Sequence, residues 1–126
     1  MRILLIGIGG FVGSILRYWL SGLTHTAAPR TAFPVGTLAV NVIGCLCIGV
    51  VMHIAETRQV LDPDTRAFIV VGLLGGFTTF SAFANETVNA LRAGSVHIAI
   101  ANIMLSVAAC LVAVWLGRSL AESFWR

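Results

Sequence analysis

Four long apolar stretches constrain this chain more than any other feature, because each is long enough to cross a lipid bilayer. They cover residues 3–23, 33–54, 67–91 and 96–116, and short polar connections separate them. A helix needs about 20 mostly apolar residues to span about 30 Å of hydrocarbon. Four such spans use almost all of the 126 residues. The sequence therefore predicts one all-α domain over residues 1–126, with four transmembrane helices in the lipid bilayer and no separate soluble domain.

The composition agrees with a membrane protein and excludes other classes. Hydrophobic residues make up 58% of the chain and charged residues only 10%, which is outside the usual range of soluble domains. The net charge of +3 comes from eight arginines. Because these are scattered at the ends of the spans and form no basic patch, nucleic acid is not an expected partner.

The arginines also bear on orientation, since positive residues collect in cytoplasmic loops. Arg17 lies within the first span, nearer the side with fewer arginines. The side with more arginines holds Arg2, Arg58, Arg66, Arg118 and Arg126, and the other holds Arg30 and Arg92. This mild bias favours termini inside the cell and is compatible with insertion in both orientations.

The third span carries small and polar residues that a lipid-facing helix does not need. The cluster is Gly75-Gly76-Phe77-Thr78-Thr79. Glycines tolerate unusual backbone angles, and hydroxyls can bond backbone groups that an unwound helix leaves free. From Arg66 to Arg92 a continuous helix would be roughly 40 Å long, against about 30 Å of hydrocarbon. Residues 75–79 are therefore predicted to break the helix, with Gly75 a candidate for positive φ.

Two polar side chains in the first two spans each allow two interpretations. Asn41 lies inside the second span, where an amide must be hydrogen-bonded to protein or water. A contact between helices is its simpler interpretation, and contact with water is the other. Arg17 either extends to the membrane surface or is buried in a structural role.

Aromatic and polar residues form two rows in the later spans. Phe80 and Phe83 are three residues apart and share a helix face, with Glu86 one turn further on. Ser81 lies on a separate polar face of the same helix, and Ser106 belongs to a polar face of the fourth span. A row of hydrogen-bond donors beside a row of aromatic rings is not a usual packing pattern.

The spans also contain closely spaced glycines and three cysteines. Gly9 and Gly13 are spaced so that another helix can approach closely, in the same chain or in a second copy. Cys45, Cys47 and Cys110 all lie inside predicted spans. Because their spacing matches no disulfide framework or zinc site, they are predicted to be packing residues.

Three of these segments together resemble the Fluc family of bacterial fluoride channels, also called CrcB. The matching motifs are Gly9-Gly10-Phe11-Val12-Gly13-Ser14-Ile15-Leu16-Arg17-Tyr18, Gly36-Thr37-Leu38-Ala39-Val40-Asn41-Val42-Ile43-Gly44 and Gly75-Gly76-Phe77-Thr78-Thr79-Phe80-Ser81-Ala82-Phe83. The three motifs occur in this order within a four-span chain of 126 residues. The resemblance covers the whole chain.

The resemblance implies an antiparallel, dual-topology homodimer in the bacterial inner membrane, with two fluoride pores and a structural sodium ion at its centre. The third helix breaks at that centre. By correspondence, the pore would be lined by Asn41, Phe80, Ser81, Phe83 and Ser106. Sodium would be bound by the backbone carbonyls of Gly75 and Thr78. Structural roles would belong to Arg17, Thr79 and Glu86. Two positions depart from the family pattern: Ala82 replaces a usual Thr, and Ser14 a usual Ala. The expected function is passive fluoride export, which is not an enzymatic activity.

Two other functions fit parts of the pattern. A small proton-coupled multidrug exporter is also a four-span antiparallel dimer, but such exporters have a carboxylate in the first helix. The first span here has none, and Glu86 lies off-centre in the third. A non-transporting subunit of a helical assembly would account for the close glycine spacing but not for the rows of donors.

Overall fold

A computed structural model describes residues 1–27, 32–58 and 61–124 of the chain. Within these ranges every regular element is helical. The elements are α1 (Arg2–Ala27), α2 (Val35–Arg58), α3 (Pro63–Arg66), a π-helix (Ala67–Leu74), α4 (Gly75–Phe77), α5 (Phe80–Arg92) and α6 (Val96–Phe124). α3, the π-helix, α4 and α5 follow one another and together form the third span.

Four helical runs are long and apolar enough to cross a membrane. They are Arg2–Thr24, Val35–Thr57, Pro63–Arg92 and Val96–Phe124. The predicted all-α architecture with four membrane-spanning helices is therefore confirmed. The third run is longer than its predicted range of 67–91, because α3 adds a turn before the apolar residues begin.

The third span is broken, but the break is shorter than predicted. Helical backbone continues through Gly75, whose φ is −64°, and ends at Phe77. Thr78 and Thr79 are extended, with φ/ψ of −82°/156° and −148°/116°. The prediction of a break over residues 75–79, with positive φ at Gly75, was wrong in this detail. The Thr79 hydroxyl accepts from the Ala82 N–H and so caps the start of α5 after the break.

The glycines near the break instead let α1 approach the third span closely. A Cβ on Gly9 would lie 2.6 Å from the carbonyl oxygen of Phe68, and a Cβ on Gly76 would lie 2.6 Å from that of Gly10. Gly13 likewise faces the backbone of the π-helix. The spacing of Gly9 and Gly13 therefore serves a contact within the same chain.

α2 and α6 approach each other in the same way. Gly49 faces the carbonyl of Val114, and Gly117 faces the carbonyl of Leu46. Any side chain at either glycine would collide with backbone of the other helix. The two helices run in the same direction, because the chain crosses the bundle once, in the third span, between the end of α2 and the start of α6. Their close contact fixes the register between them.

Ion pairs form at the end of the bundle where α1 begins and α2 ends. Arg2 contacts Asp64 at 2.6 Å, and Arg118 contacts both carboxylate oxygens of Glu56 at 2.9 and 3.0 Å. These pairs bring Arg2 and Arg118 to the same end of the bundle, in agreement with the prediction that they share one side of the membrane. Arg30, Arg126 and the side chain of Arg58 lie outside the described residues.

The third span begins at a well-formed helix cap. Asp62 accepts hydrogen bonds from the backbone N–H groups of Asp64 and Thr65, and Pro63 occupies the first turn. The Thr65 hydroxyl also donates to the Asp62 carboxylate, which lowers the pKa of that carboxyl below its usual value. The cap therefore remains charged at neutral pH.

Little of the apolar surface is buried within one chain. Val40, Ala99 and Ala121 are almost fully buried, whereas many large side chains along α1 and α6 are exposed. Examples are Phe11, Trp19, Leu111, Trp115 and Phe124. A bilayer covers such a surface without cost, because lipid tails are as apolar as these side chains.

Candidate functional site

The break in the third span is bonded to the side chain of Asn41 on α2. Asn41 Oδ1 accepts from the Thr79 backbone N–H at 2.8 Å, and Asn41 Nδ2 donates to the Thr79 carbonyl oxygen at 3.0 Å. One amide thus satisfies two backbone groups that an unwound helix would leave unpaired in a membrane. The contact between helices suggested for Asn41 is present. Because the amide nitrogen carries two hydrogens, a second donor remains available.

The break also changes what two backbone carbonyls can accept. In a continuous helix the Thr79 N–H would donate to Gly75, and the Ala82 N–H would donate to Thr78. Instead the Thr79 N–H donates to Asn41, and the Ala82 N–H donates to Thr79 Oγ1 at 3.2 Å. The Gly75 and Thr78 oxygens have therefore lost their helical donors. Uncharged oxygens of this kind suit sodium, a hard monovalent cation.

A cavity of about 380 Å³, here called the break cavity, opens beside the break between α2, the third span and α6. None of its lining residues carries a charge. Most of the predicted site residues line it, namely Asn41, Gly75, Thr78, Thr79, Phe80, Phe83 and Ser106. The other lining residues are Gly44, Cys45, Ile48, Val70, Leu74, Val107 and Cys110. Ser81 does not line this cavity; its side chain is exposed, and its hydroxyl lies 3.2 Å from that of Thr79.

The two phenylalanines form an aromatic pair at the mouth of this cavity. Their ring centroids are 5.3 Å apart and the rings are tilted by 45°. Phe80 is 78% exposed, whereas Phe83 is half-buried. The shared face predicted from their spacing is therefore present, with Phe80 on its outer side.

A chain of hydrogen bonds connects α6 to the backbone of Phe83. Ser106 Oγ donates to Asn102 Oδ1 at 3.2 Å, and Asn102 Nδ2 donates to Thr87 Oγ1 at 2.9 Å. The Thr87 hydroxyl in turn donates to the Phe83 carbonyl at 2.8 Å. All three polar side chains are buried. The chain therefore links the backbone of Phe83 on α5 to Asn102 on α6, one turn before Ser106.

A second cavity, of about 360 Å³, lies on the other side of Thr79 and is here called the Arg17 cavity. It gathers the three residues predicted to be structural, together with both positions that depart from the family pattern. The lining residues are Ser14, Arg17, Tyr18, Ser21, Pro34, Gly36, Thr37, Thr79, Ala82 and Glu86. Arg17 is half-buried there. Thr79 borders both cavities, so the extended backbone of the break separates them.

Sequence reasoning assigned no role to three buried polar residues, namely Thr37, Thr87 and Asn102. The Thr37 hydroxyl donates to Glu86 Oε1 at 2.6 Å, which links α2 to α5 inside the membrane. A signal for Thr87 was present in its spacing from Phe83, since a Thr can bond the carbonyl four residues earlier. Thr37 carried no such local signal, because its partner is 49 residues away.

The chain matches known proteins over almost its whole length. The family model described as "CrcB-like protein, Camphor Resistance (CrcB)" matches residues 4–118. The chain belongs to the CrcB family. It is 44% identical over 121 residues to the "Fluoride-specific ion channel FluC" of Methylobacillus flagellatus, covering 96% of this chain and 94% of the relative. It is 46% identical over 122 residues to the protein of that name from Solibacter usitatus, covering 97% and 99%.

Membership of the CrcB family confirms the resemblance drawn from the three motifs. The family match includes most of all four spans. A further relative with the same name, from Geotalea uraniireducens, is 42% identical over 121 residues and covers 96% of this chain. This CrcB chain is therefore a multi-pass membrane protein of an ion-channel family, and not an enzyme.

Proposed function

We propose that this chain forms a passive, fluoride-selective channel that lets fluoride leave the cytoplasm down its electrochemical gradient and so limits its toxicity. One observation carries the proposal: the break at Thr78–Thr79 brings an amide, hydroxyls and an aromatic pair to one uncharged cavity. These groups come from α2, the third span and α6. The relatives named fluoride-specific ion channels support the same conclusion.

The proposed ion requires hydrogen-bond donors. Fluoride is a small anion that binds water tightly, so a narrow pore must replace its hydration with protein groups. The second hydrogen of Asn41 Nδ2 and the hydroxyl of Ser106 can do this. The Ser106 hydroxyl now bonds Asn102 at 3.2 Å, which is long for an O–H···O bond. It can therefore turn towards an ion at little cost.

The aromatic pair supplies a second kind of stabilisation. The edge of a phenyl ring is the positive part of its quadrupole, whereas the face is negative. A fluoride ion that meets the edges of Phe80 and Phe83 is therefore attracted weakly. Weak contacts in series allow an ion to leave as readily as it enters, as conduction requires.

The placement of charge fits passage better than capture. The break cavity has no charged lining residue, while Arg17 lies in the neighbouring Arg17 cavity, beyond Thr79. A fixed cation beside a conducted anion would hold it. At a distance the same cation raises the local anion concentration. Ser81, at the exposed edge of the break, is proposed to continue the row of donors.

The assembly is proposed to be an antiparallel homodimer with one structural sodium ion. The carbonyls of Gly75 and Thr78 lack helical donors, and two copies related by a two-fold axis would supply four such oxygens. Sodium would hold the two breaks together there and would not travel with fluoride. Exposed Gly75 agrees with this, because it leaves the backbone accessible to a second copy.

Efflux from proteoliposomes tests the function. Liposomes loaded with potassium fluoride or potassium chloride would be opened to potassium with an ionophore, and each anion followed with a selective electrode. We expect rapid fluoride efflux and retained chloride. Equal efflux of both anions, or ethidium transport driven by a proton gradient without fluoride efflux, would overturn the proposal.

A further inference from the structure

Two of the three cysteines meet inside the break cavity. Cys45 lies on α2 and Cys110 on α6, and the two thiols are close enough to interact. Both residues line the cavity and neither belongs to a disulfide. The third cysteine, Cys47, is exposed on α2 and does not line the cavity. Sequence spacing could not show this pair, because it depends on the packing of two helices distant in sequence.

The backbone holds this pair in a fixed relation. One turn beyond the thiols, Gly49 meets the Val114 carbonyl. Side chains cannot separate helices at such a contact, so Cys45 and Cys110 are held facing each other. One turn before the thiols, the same two helix faces present Asn41 and Ser106 to the cavity. An ion between the sulfurs would therefore lie about one helical turn, or about 5.4 Å, from the proposed fluoride donors.

We propose that Cys45 and Cys110 form a two-thiol site for soft, two-coordinate metal ions, of which Hg²⁺ is the probe, and that the bound ion plugs the pore. The plugging rests on the proposed channel function, whereas the metal site does not. Thiolates are soft ligands and select soft metals.

The reaction balances without an oxidant. Both S–H bonds break, two Hg–S bonds form, two protons pass to water, and the metal stays divalent. The product is neutral, which suits a cavity with no charged lining residue. Zinc fits poorly, because structural zinc takes four ligands, and no group of three or more His, Cys, Asp or Glu that could hold a metal occurs within residues 1–27, 32–58 and 61–124.

Mercury retention tests the site directly. Cys47→Ala keeps only the pair, and Cys47→Ala combined with Cys45→Ser or with Cys110→Ser leaves a single thiol. Each purified protein would be treated with Hg²⁺ and washed with dilute glutathione, and its mercury measured by elemental analysis. We expect one mercury per chain in Cys47→Ala and far less in the two double variants, because a single protein thiolate holds Hg²⁺ only as a mixed complex with glutathione, from which a second glutathione displaces the protein. Equal retention in all three proteins, or retention of zinc under the same wash, would overturn the site.

Fluoride efflux then tests the plug. In Cys47→Ala liposomes, Hg²⁺ should reduce fluoride efflux to the level of empty liposomes, and dithiothreitol should restore it. The double variants, each compared with its own rate before mercury, should keep their efflux. Efflux that continues with mercury retained would overturn the plug. Absence of fluoride efflux before any mercury is added would instead overturn the proposed channel, and mercury retention would still decide the site.

Discussion

Asn41 performs two tasks with one side chain, and its substitution should affect both. It bonds both backbone groups of Thr79 and also faces the break cavity. Substituting a residue that only supports the fold should change mainly the melting temperature, and substituting one that only contacts the ion should change mainly the fluoride efflux. Substituting Asn41 is expected to change both quantities.

We predict that Asn41→Ala lowers both fluoride efflux and thermal stability. Leaving the Thr79 N–H and carbonyl unpaired costs roughly 1–3 kcal/mol for each buried group. Ile43→Ala on the same helix is the control, because Ile43 is exposed. Efflux by electrode and melting temperature in detergent would be measured together. Normal efflux with a lower melting temperature would restrict Asn41 to a structural role.

The aromatic pair offers a test of ring chemistry against ring volume. Phe80→Ile and Phe83→Ile keep an apolar side chain but remove the positive ring edge, so fluoride efflux should fall strongly while the protein still folds. Phe11→Ile is the matched control, since Phe11 is exposed on α1 and lines neither the break cavity nor the Arg17 cavity. If both pore variants conduct like the control, the pair serves only packing.

At the scale of elements, the third span depends on adjacent glycines with different surroundings. Gly76 lies against the backbone of Gly10, so α1 and the third span touch there without side chains. A Cβ at Gly75 would meet only the Val70 carbonyl, at an ordinary 3.7 Å. Packing inside one chain therefore does not require glycine at position 75.

The same substitution at these neighbours should give opposite results. Gly76→Ala should push α1 away and cost roughly 1–3 kcal/mol, as overpacking usually does. Gly75→Ala should leave the folded chain as stable as before. Thermal unfolding in detergent would measure both. A loss of dimer at Gly75→Ala with the chain still folded would assign that glycine to contact between copies, while equal destabilisation at both sites would contradict the packing described here.

At the scale of the whole molecule, one chain leaves most of its large apolar side chains exposed. Lipid can cover them, but lipid cannot satisfy the carbonyls that the break has freed. In the proposed assembly, a second copy and a sodium ion would satisfy them. Assembly and ion binding should therefore be coupled.

Sodium removal tests this coupling. Exhaustive replacement of sodium by N-methylglucamine should weaken the dimer and reduce fluoride efflux, and returning sodium should restore both. Thr78→Ser should behave like the unaltered protein, because the proposed ligand is its backbone carbonyl. Full efflux and an unchanged dimer without sodium would contradict the metal site.

Topology provides an independent check on the assembly. Tags at both termini should be labelled equally from the two sides of the membrane if the dimer is antiparallel. The arginine distribution is only mildly biased, which permits this. Labelling from one side alone would contradict the antiparallel arrangement and leave the break itself unaffected.

Sequence alone determined the features that depend on local composition and spacing. Four apolar stretches predict four membrane spans, because each is long enough to cross the hydrocarbon and too apolar to be exposed to water. Glycines and threonines at membrane depth indicated a broken third helix, and three motifs indicated the CrcB family. Each of these conclusions needs only residues close together along the chain.

Only the tertiary structure decided which groups meet across helices. The break proved to be Thr78–Thr79, because Asn41, distant in sequence, bonds the backbone there. Gly76 needs to be glycine because α1 passes against it, and not because of its own backbone angles. Helix packing likewise brings Thr37 to Glu86 and Cys45 to Cys110. Spacing along one helix predicts which residues share a face, but the partner of that face is fixed by how helices cross, and short-range patterns do not encode it.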